Sequence, residues 1–220
     1  MNPKNIFDFS EHFNSEYSAI LSSINNNYNS LIASLRIDKN NIAIPKQTHS
    51  SNVKYVSQPG IYNDTDGLIA NKSDIILSLR VADCVPIYIL DKKNDIHALI
   101  HSGWRGTLDK IVFNAIEMMY SYGSKSSDIK IFLGPSIGIC CYEVNKDIAD
   151  NFHYTSKIRI NKSKWKVGLK EQIIIDLVHL GIKKKKILKS NVCTLESYEC
   201  HSFRRDGNKS GRMISLMGKF

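Results

Sequence analysis

Residues 74–123, DIILSLRVADCVPIYILDKKNDIHALIHSGWRGTLDKIVFNAIEMMYSYG, change their hydrophobic period once, and that change sets the fold class. Leu77, Leu79 and Val81 alternate with Ser78, Arg80 and Ala82, the period of a strand. Pro86 interrupts the run toward Asp91 and predicts a bend or an edge position. Residues 96–101 alternate again, with His97, Leu99 and His101 on one face and Ile96, Ala98 and Ile100 on the other. Ser102-Gly103 is a turn signal. From about Thr107 the spacing becomes helical: Leu108, Ile111, Val112, Ala115, Ile116 and Met119 form one stripe, which Gly123 ends.

Outward from this unit, residues 17–35 read as a helix, with Ile20, Leu21, Ile24, Tyr28, Leu31, Ile32 and Leu35 at helical spacing. Residues 41–55 read as short extended pieces around Pro45, joined by a loop at 46–52. Residues 129–133 alternate as a strand that ends at Gly134-Pro135. Asn145 is placed to cap a short helix through Phe152, residues 170–180 form a helix closed by Gly181, and a turn at Asp206-Gly207 precedes a last strand over 213–217. Strands and helices mix without a steady βαβ rhythm. The expected architecture is one α+β domain over residues 1–220, with no linker, repeat or low-complexity segment.

Composition excludes several classes. At 42% hydrophobic and 23% charged residues the chain is an ordinary globular sequence. It holds no run of about 18 apolar residues, so no membrane helix and no membrane partner are expected. The first residues, MNPKNIFDFSEHF, lack the apolar core of a signal peptide. Five cysteines without framework spacing suit free thiols or metal ligands in a reducing compartment, so a cytoplasmic location is expected. The net charge is +9, but the lysines are scattered apart from Lys183 to Lys186, a pattern of a solvated surface. Nucleic acid is not an expected partner, and no obligate protein partner is inferred.

The chemistry concentrates in three segments. On a strand, His97 and His101 share a face but stand about 13 Å apart at roughly 3.3 Å per residue, so both cannot bind one ion. His101 ends its strand beside glycines, where sites are usually built, and His97 reads as structural. Cys84 sits at a strand break and His49 in a polar loop. Two His and one Cys from separate segments would make a three-ligand zinc site with one open position, the catalytic pattern. The bland alternative, isolated structural residues, is not excluded by spacing. HSGWRG admits two readings: an anion site built from Arg105 and the helix start near Thr107, or a tight turn with Trp104 packed on the core. Cys140-Cys141, taken as part of a strand, would point to opposite faces and read as small buried hydrophobes. Arg204, Arg205 and Arg212 admit contact with an anion or decoration of a hairpin at Asp206-Gly207, the second being favoured.

The ordered motifs QTH (47–49), DGLI (66–69), ADCVP (82–86), HSGWRG (101–106), GPSIGICCYEV (134–144), SFRRDG (202–207) and GRM (211–213) resemble the YfiH family, long called multicopper polyphenol oxidase or laccase-domain proteins. Related names are purine nucleoside phosphorylase and peptidoglycan editing factor. The resemblance runs from about Gln47 to the C-terminus. It implies a mixed-sheet α/β sandwich and a zinc site from His49, Cys84 and His101, with copper as a possible substitute because Cys/His sites accept both. It further implies phosphorolysis of adenosine, inosine and methylthioadenosine to free base and sugar 1-phosphate, and hydrolytic deamination of adenosine. The partners so implied are purine nucleosides and phosphate. Within this reading Asp83 and Arg105 are the expected catalytic residues, and Gln47, Trp104 and Arg105 the expected substrate contacts. The alternatives are a peptidoglycan-precursor editing hydrolase with Cys84 as nucleophile, and a copper polyphenol oxidase. The family often carries Gly-Gly-Val-Ser and Ser-Leu-Asn-Leu-Gly motifs near the N-terminus; neither is present. Ser50 and Ser102 replace a Gly and an Ala of the family pattern.

Overall fold

A computed structural model describes residues 6–13, 16–72 and 74–220. In chain order the strands are β1 (Ile6–Asp8), β2 (Ser18–Ser22), β3 (Ile42–Pro45), β4 (Val53–Tyr55), β5 (Gly60–Tyr62), β6 (Gly67–Ala70), β7 (Ile76–Val81), β8 (Val85–Asp91), β9 (Ile96–Ser102), β10 (Ile129–Leu133), β11 (Glu143–Asn145), β12 (Lys157–Arg159), β13 (Lys164–Val167), β14 (Ile187–Lys189) and β15 (Met213–Gly218). The α-helices are α1 (Ser10–Phe13), α2 (Tyr28–Ser34), α3 (Trp104–Leu108), α4 (Ile111–Ser121), α5 (Lys146–Ala149), α6 (Leu169–His179) and α7 (Phe203–Asp206).

Two six-stranded mixed sheets, ordered β1-β2-β15-β7-β3-β5 and β14-β10-β8-β9-β6-β4, pack face to face. Leu21, Leu77, Leu79 and Met213 of the first meet Leu68, Tyr88, Leu90 and Leu99 of the second in a shared core. The outer face of the second sheet, with Ile87, Ile89, Ala98 and Ile131, is covered by α4 and α6. The outer face of the first, with Ile42, Ile76 and Leu216, is covered by Leu31 and Ile32 of α2. This layering explains the sequence: β8 and β9 are buried on both faces over their whole length, so VPIYILD reads as a nearly continuous apolar run and IHALIHS interleaves buried His97 and His101 with aliphatic residues. The expected α+β sandwich is the architecture observed. A third small sheet, β11-β13-β12, lies outside it.

Several local expectations are corrected. Residues 17–35 are not one helix. Ser18–Ser22 pairs with β1 and β15 as a strand, and the helix starts only after Asn27, whose side chain accepts the Ser30 N–H at 2.9 Å. Tertiary pairing overrode the helical spacing, and the Asn25-Asn26-Asn27 run marks the boundary. The helix expected from Thr107 is two helices, broken at Lys110 in the left-handed region (φ 62°). Pro86 is not at an edge: it lies inside β8, opposite His101, at the level where the ladder to β10 runs out. The expected hairpin at Asp206-Gly207 is instead the end of α7.

Register carries three remote segments to one end of the second sheet. Val85 pairs with Ser102 and Pro86 with His101, so Cys84 lies beside the end of β9. Gly67 pairs with Ile100, so Asp66 lies on the other side of it. Val53 pairs with Gly67, which folds the 46–52 loop over the same edge.

Candidate metal centre

The ligand-capable atoms of His49, Cys84 and His101 lie within 4.8 Å of one another. Asp66 organises them. It is fully buried, and its Oδ1 accepts from His101 Nδ1 at 2.7 Å and from the His49 N–H at 3.1 Å. Its Oδ2 accepts from the N–H groups of Thr48 and Ser50 at 3.1 and 2.8 Å and from the Ser50 hydroxyl at 2.8 Å. One carboxylate therefore shapes the loop that presents His49, itself left-handed (φ 60°), and commits Nδ1 of His101. That leaves Nε2 of His101 for a cation, the usual carboxylate–histidine support of a metal ligand. Burial would raise the Asp66 pKa, but these hydrogen bonds outweigh it and hold the carboxyl well below its ordinary range.

The same logic sets Cys84 and His101. Burial alone would raise the thiol, yet the charge of His101 and hydrogen bonds from His101 and His49 bring it down to about 6. Burial alone would lower His101, yet Cys84 and Asp66 raise it. Without a cation the pair is a thiolate beside an imidazolium. A thiophilic cation replaces the imidazolium proton, and a Cys/His₂ donor set with one partly exposed side fits zinc. Gly103 makes room for this: a Cβ there would stand 3.0 Å from Cys84 Sγ and 3.2 Å from His49 Cδ2. Gly106 lies against the Ser50 carbonyl in the same way, with a Cβ at 3.0 Å. The paired glycines of HSGWRG are therefore spacing residues for the ligand loop.

The other residues expected at the site are distributed unevenly. Asp83 is adjacent, with a left-handed backbone (φ 82°), and its two oxygens accept from Thr194 Oγ1 and the Arg204 N–H, each at 2.6 Å. Arg105 is exposed and lies over the Trp104 ring at 4.3 Å. Gln47 turns away: its Nε2 donates to the Arg80 carbonyl at 2.8 Å and its Oε1 accepts the Arg80 N–H at 2.9 Å. It anchors the loop to β7 with one donor and one acceptor of its amide, leaving the second N–H and a lone pair unused by these bonds. Thr107 is no helix start. It is buried in α3, its N–H bonded to the Gly103 carbonyl and its hydroxyl paired with Ser102 at 2.8 Å. His97 is buried elsewhere, against Tyr17 and the Ile75 carbonyl.

Three contributors were not assigned from sequence. Asp66 enters the sequence reading only as the first residue of the DGLI motif. Tyr142, nearly buried, feels the charges of Cys84, Arg204, Asp83 and Arg105 together, and burial with the Cys84 charge pushes its phenol up to about 12. Arg204 lies over the Tyr142 ring at 5.0 Å and donates to the Glu143 carbonyl. Its neighbour Arg205 is no surface decoration, since its guanidinium donates to the carbonyls of Thr194, Leu195, Ser197 and Cys200 and fixes that loop.

Comparison with known proteins places the chain in a family. The family model described as multi-copper polyphenol oxidoreductase laccase matches residues 11–219, farther toward the N-terminus than the motifs alone reach. The chain is 33% identical to a purine nucleoside phosphorylase of Clostridium acetobutylicum over 179 residues, covering 79% of this chain and 75% of that protein. It is 29% identical to an adenosine deaminase from an unknown prokaryotic organism over 199 residues, covering 82% of this chain and 76% of that protein. The crystal structure of the hypothetical protein YfiH of Bacillus licheniformis superposes with a TM-score of 0.92 at 25% identity, covering 100% of this chain and 98% of that one. The chain belongs to the YfiH family of laccase-like multi-copper polyphenol oxidoreductase proteins.

Proposed function

We propose that the protein is a zinc-dependent purine nucleoside phosphorylase acting on adenosine, inosine and methylthioadenosine, with hydrolytic deamination of adenosine as a second activity. The observation that carries the reading is the convergence of His49, Cys84 and His101, with the Asp66 carboxylate bonded to the His101 ring. The relative named as a purine nucleoside phosphorylase supports the first activity and the one named as an adenosine deaminase the second.

When bound, zinc supplies Lewis-acid polarisation of an oxygen in its open position. The chain does the rest. In phosphorolysis the C–N glycosidic bond breaks, a phosphate oxygen bonds to the anomeric carbon, and the base leaves with the electron pair. Phosphate must be held on the correct face of the sugar, and exposed Arg105 is the group for it, its guanidinium braced flat on Trp104. Arg204, held by Tyr142 and the Glu143 carbonyl, with its backbone N–H on Asp83 beside Cys84, adds a second positive charge. Asp83 acts through position, holding Thr194 and Arg204 beside Cys84. Asp66 holds the proton on Nδ1 of His101.

Copper oxidase chemistry is less well supported. Among the described residues only one group that can hold a metal contains histidine, and the sequence has no His-x-His pair. The test is product analysis with adenosine. Adenine formed only with phosphate supports phosphorolysis, inosine formed without it supports deamination, and neither product sinks the reading.

A further inference from the structure

A second cluster stands apart from the first. Cys140, Cys141 and Cys193 bring three sulfurs and Glu196 a carboxylate within 4.8 Å of one another. Cys140 and Cys141 do not lie on a strand: they sit in a turn closed by the Cys141 and Tyr142 N–H groups on the Gly138 carbonyl, so adjacent thiols face the same way. Cys193 and Glu196 share another turn, closed by the Ser197 N–H on the Cys193 carbonyl at 2.9 Å. The Cys140 and Cys141 thiols donate to the two oxygens of Glu196, and the Gly138 N–H points at Cys193 Sγ at 3.2 Å. A Cβ at Gly138 would stand 2.9 Å from Cys140 Sγ, so the turn leaves space for sulfur.

We propose that Cys140, Cys141, Cys193 and Glu196 form a second metal site, a structural zinc site with four protein ligands that ties the 138–142 turn to the 193–197 turn. Three thiolates and one carboxylate close a tetrahedral shell, the mark of a structural rather than catalytic zinc. The carboxylate oxygen favours zinc over cuprous copper, which prefers an all-soft set. With Zn–S near 2.3 Å, sulfur–sulfur edges are about 3.8 Å, so the present cluster needs to contract by about 1 Å at most. Without a cation, burial and neighbouring acidic groups raise the Cys141 thiol, while backbone N–H groups hold Cys193 below its ordinary range despite its burial. Binding would release thiol protons to solvent. The site has a structural consequence for the first one: Thr194 follows Cys193 and bonds Asp83 Oδ1, and the Ile137 N–H bonds the Asp83 carbonyl. The inference does not depend on the reaction assigned to Cys84.

The test is native mass spectrometry of the full chain after zinc loading and desalting. Wild type is expected to carry two zinc ions, one for each cluster, and Cys84→Ser and Cys193→Ser one each. To remain independent of variant folding, alkylation of wild-type thiols is mapped by peptide with zinc and after chelation. Modification of the accessible thiols Cys140 and Cys141 is expected to rise on the order of tenfold or more once zinc is removed. A single zinc lost entirely in Cys84→Ser, copper in place of zinc at the second cluster, or alkylation of Cys140 and Cys141 indifferent to chelation would each overturn the proposal.

Discussion

Asp66→Asn is the most informative single change, because one buried carboxylate holds both the His49 loop and the His101 ring. The substitution keeps the volume and replaces one acceptor oxygen by an amide NH₂. If the NH₂ takes the Oδ1 place, it confronts His101 Nδ1 and the His49 N–H; if it takes the Oδ2 place, it confronts the N–H groups of Thr48 and Ser50 and the Ser50 hydroxyl. At least two charge-assisted hydrogen bonds are lost either way. At about 1.5 kcal/mol each, the lower end of the range for charged acceptors, the folded protein loses about 3 kcal/mol. For a chain of this length that is a fall in Tm of about 6–12 °C. An amide that donates to Nδ1 also selects the tautomer with the proton on Nε2, removing the lone pair a cation needs. Loss of such a support costs about 10–100-fold in metal affinity, or about 1.4–2.7 kcal/mol. The assays are thermal unfolding of the chelated protein, which isolates the loop, and zinc titration against a competing chelator, which isolates the ligand. A variant whose Tm and zinc affinity both stay within twofold-equivalent scatter of wild type would refute the role of Asp66.

Gly103→Ala places its Cβ against Cys84 Sγ and His49 Cδ2 without backbone strain, since Gly103 has φ −81°. Zinc affinity is expected to drop on the order of tenfold with unchanged circular dichroism. Arg105→Ala removes an exposed guanidinium and is expected to raise the KM for phosphate about 10–100-fold, the cost of one charge-assisted contact, with zinc content unchanged. In the metal-free protein, Cys84 has its pKa lowered and His101 has its raised, so both are charged between about 6 and about 9. The depressed thiol contributes stability above its unfolded pKa and loses it as pH falls through about 6. The raised imidazole contributes below its unfolded pKa and loses it as pH rises through about 9. Alkylation of Cys84 in chelated protein is therefore expected to switch on near pH 6; a midpoint at the ordinary thiol value would contradict the pairing.

Much of the architecture is legible in the sequence because β7 and β9 alternate, α4 carries an apolar stripe, and Gly123 and Gly181 end α4 and α6. Residues 18–22 were misread because a strand buried on both faces has no period of its own; only its partners β1 and β15, remote in sequence, decide it. The ligand types at 49, 84 and 101 stand out locally, but their proximity rests on strand register, which composition does not encode. Asp66 stands in the DGLI motif, but nothing local says that its oxygens face the 48–50 amides. Cys140 and Cys141 were expected on opposite faces of a strand. A turn at Gly138 puts them on the same side, and the partner that gives them meaning, Cys193, is 52 residues beyond Cys141. Among the described residues no helix is long and apolar enough to cross a membrane.

Zinc at the His49–Cys84–His101 centre is proposed to carry the reaction. The most direct test is to strip the protein of metal, add zinc stepwise, and follow phosphate-dependent release of adenine from adenosine against zinc bound. Activity absent from the stripped protein, and returning in proportion to occupancy of this centre, is the predicted result. Full turnover by the metal-free protein would contradict it and assign the chemistry to Cys84 as a nucleophile.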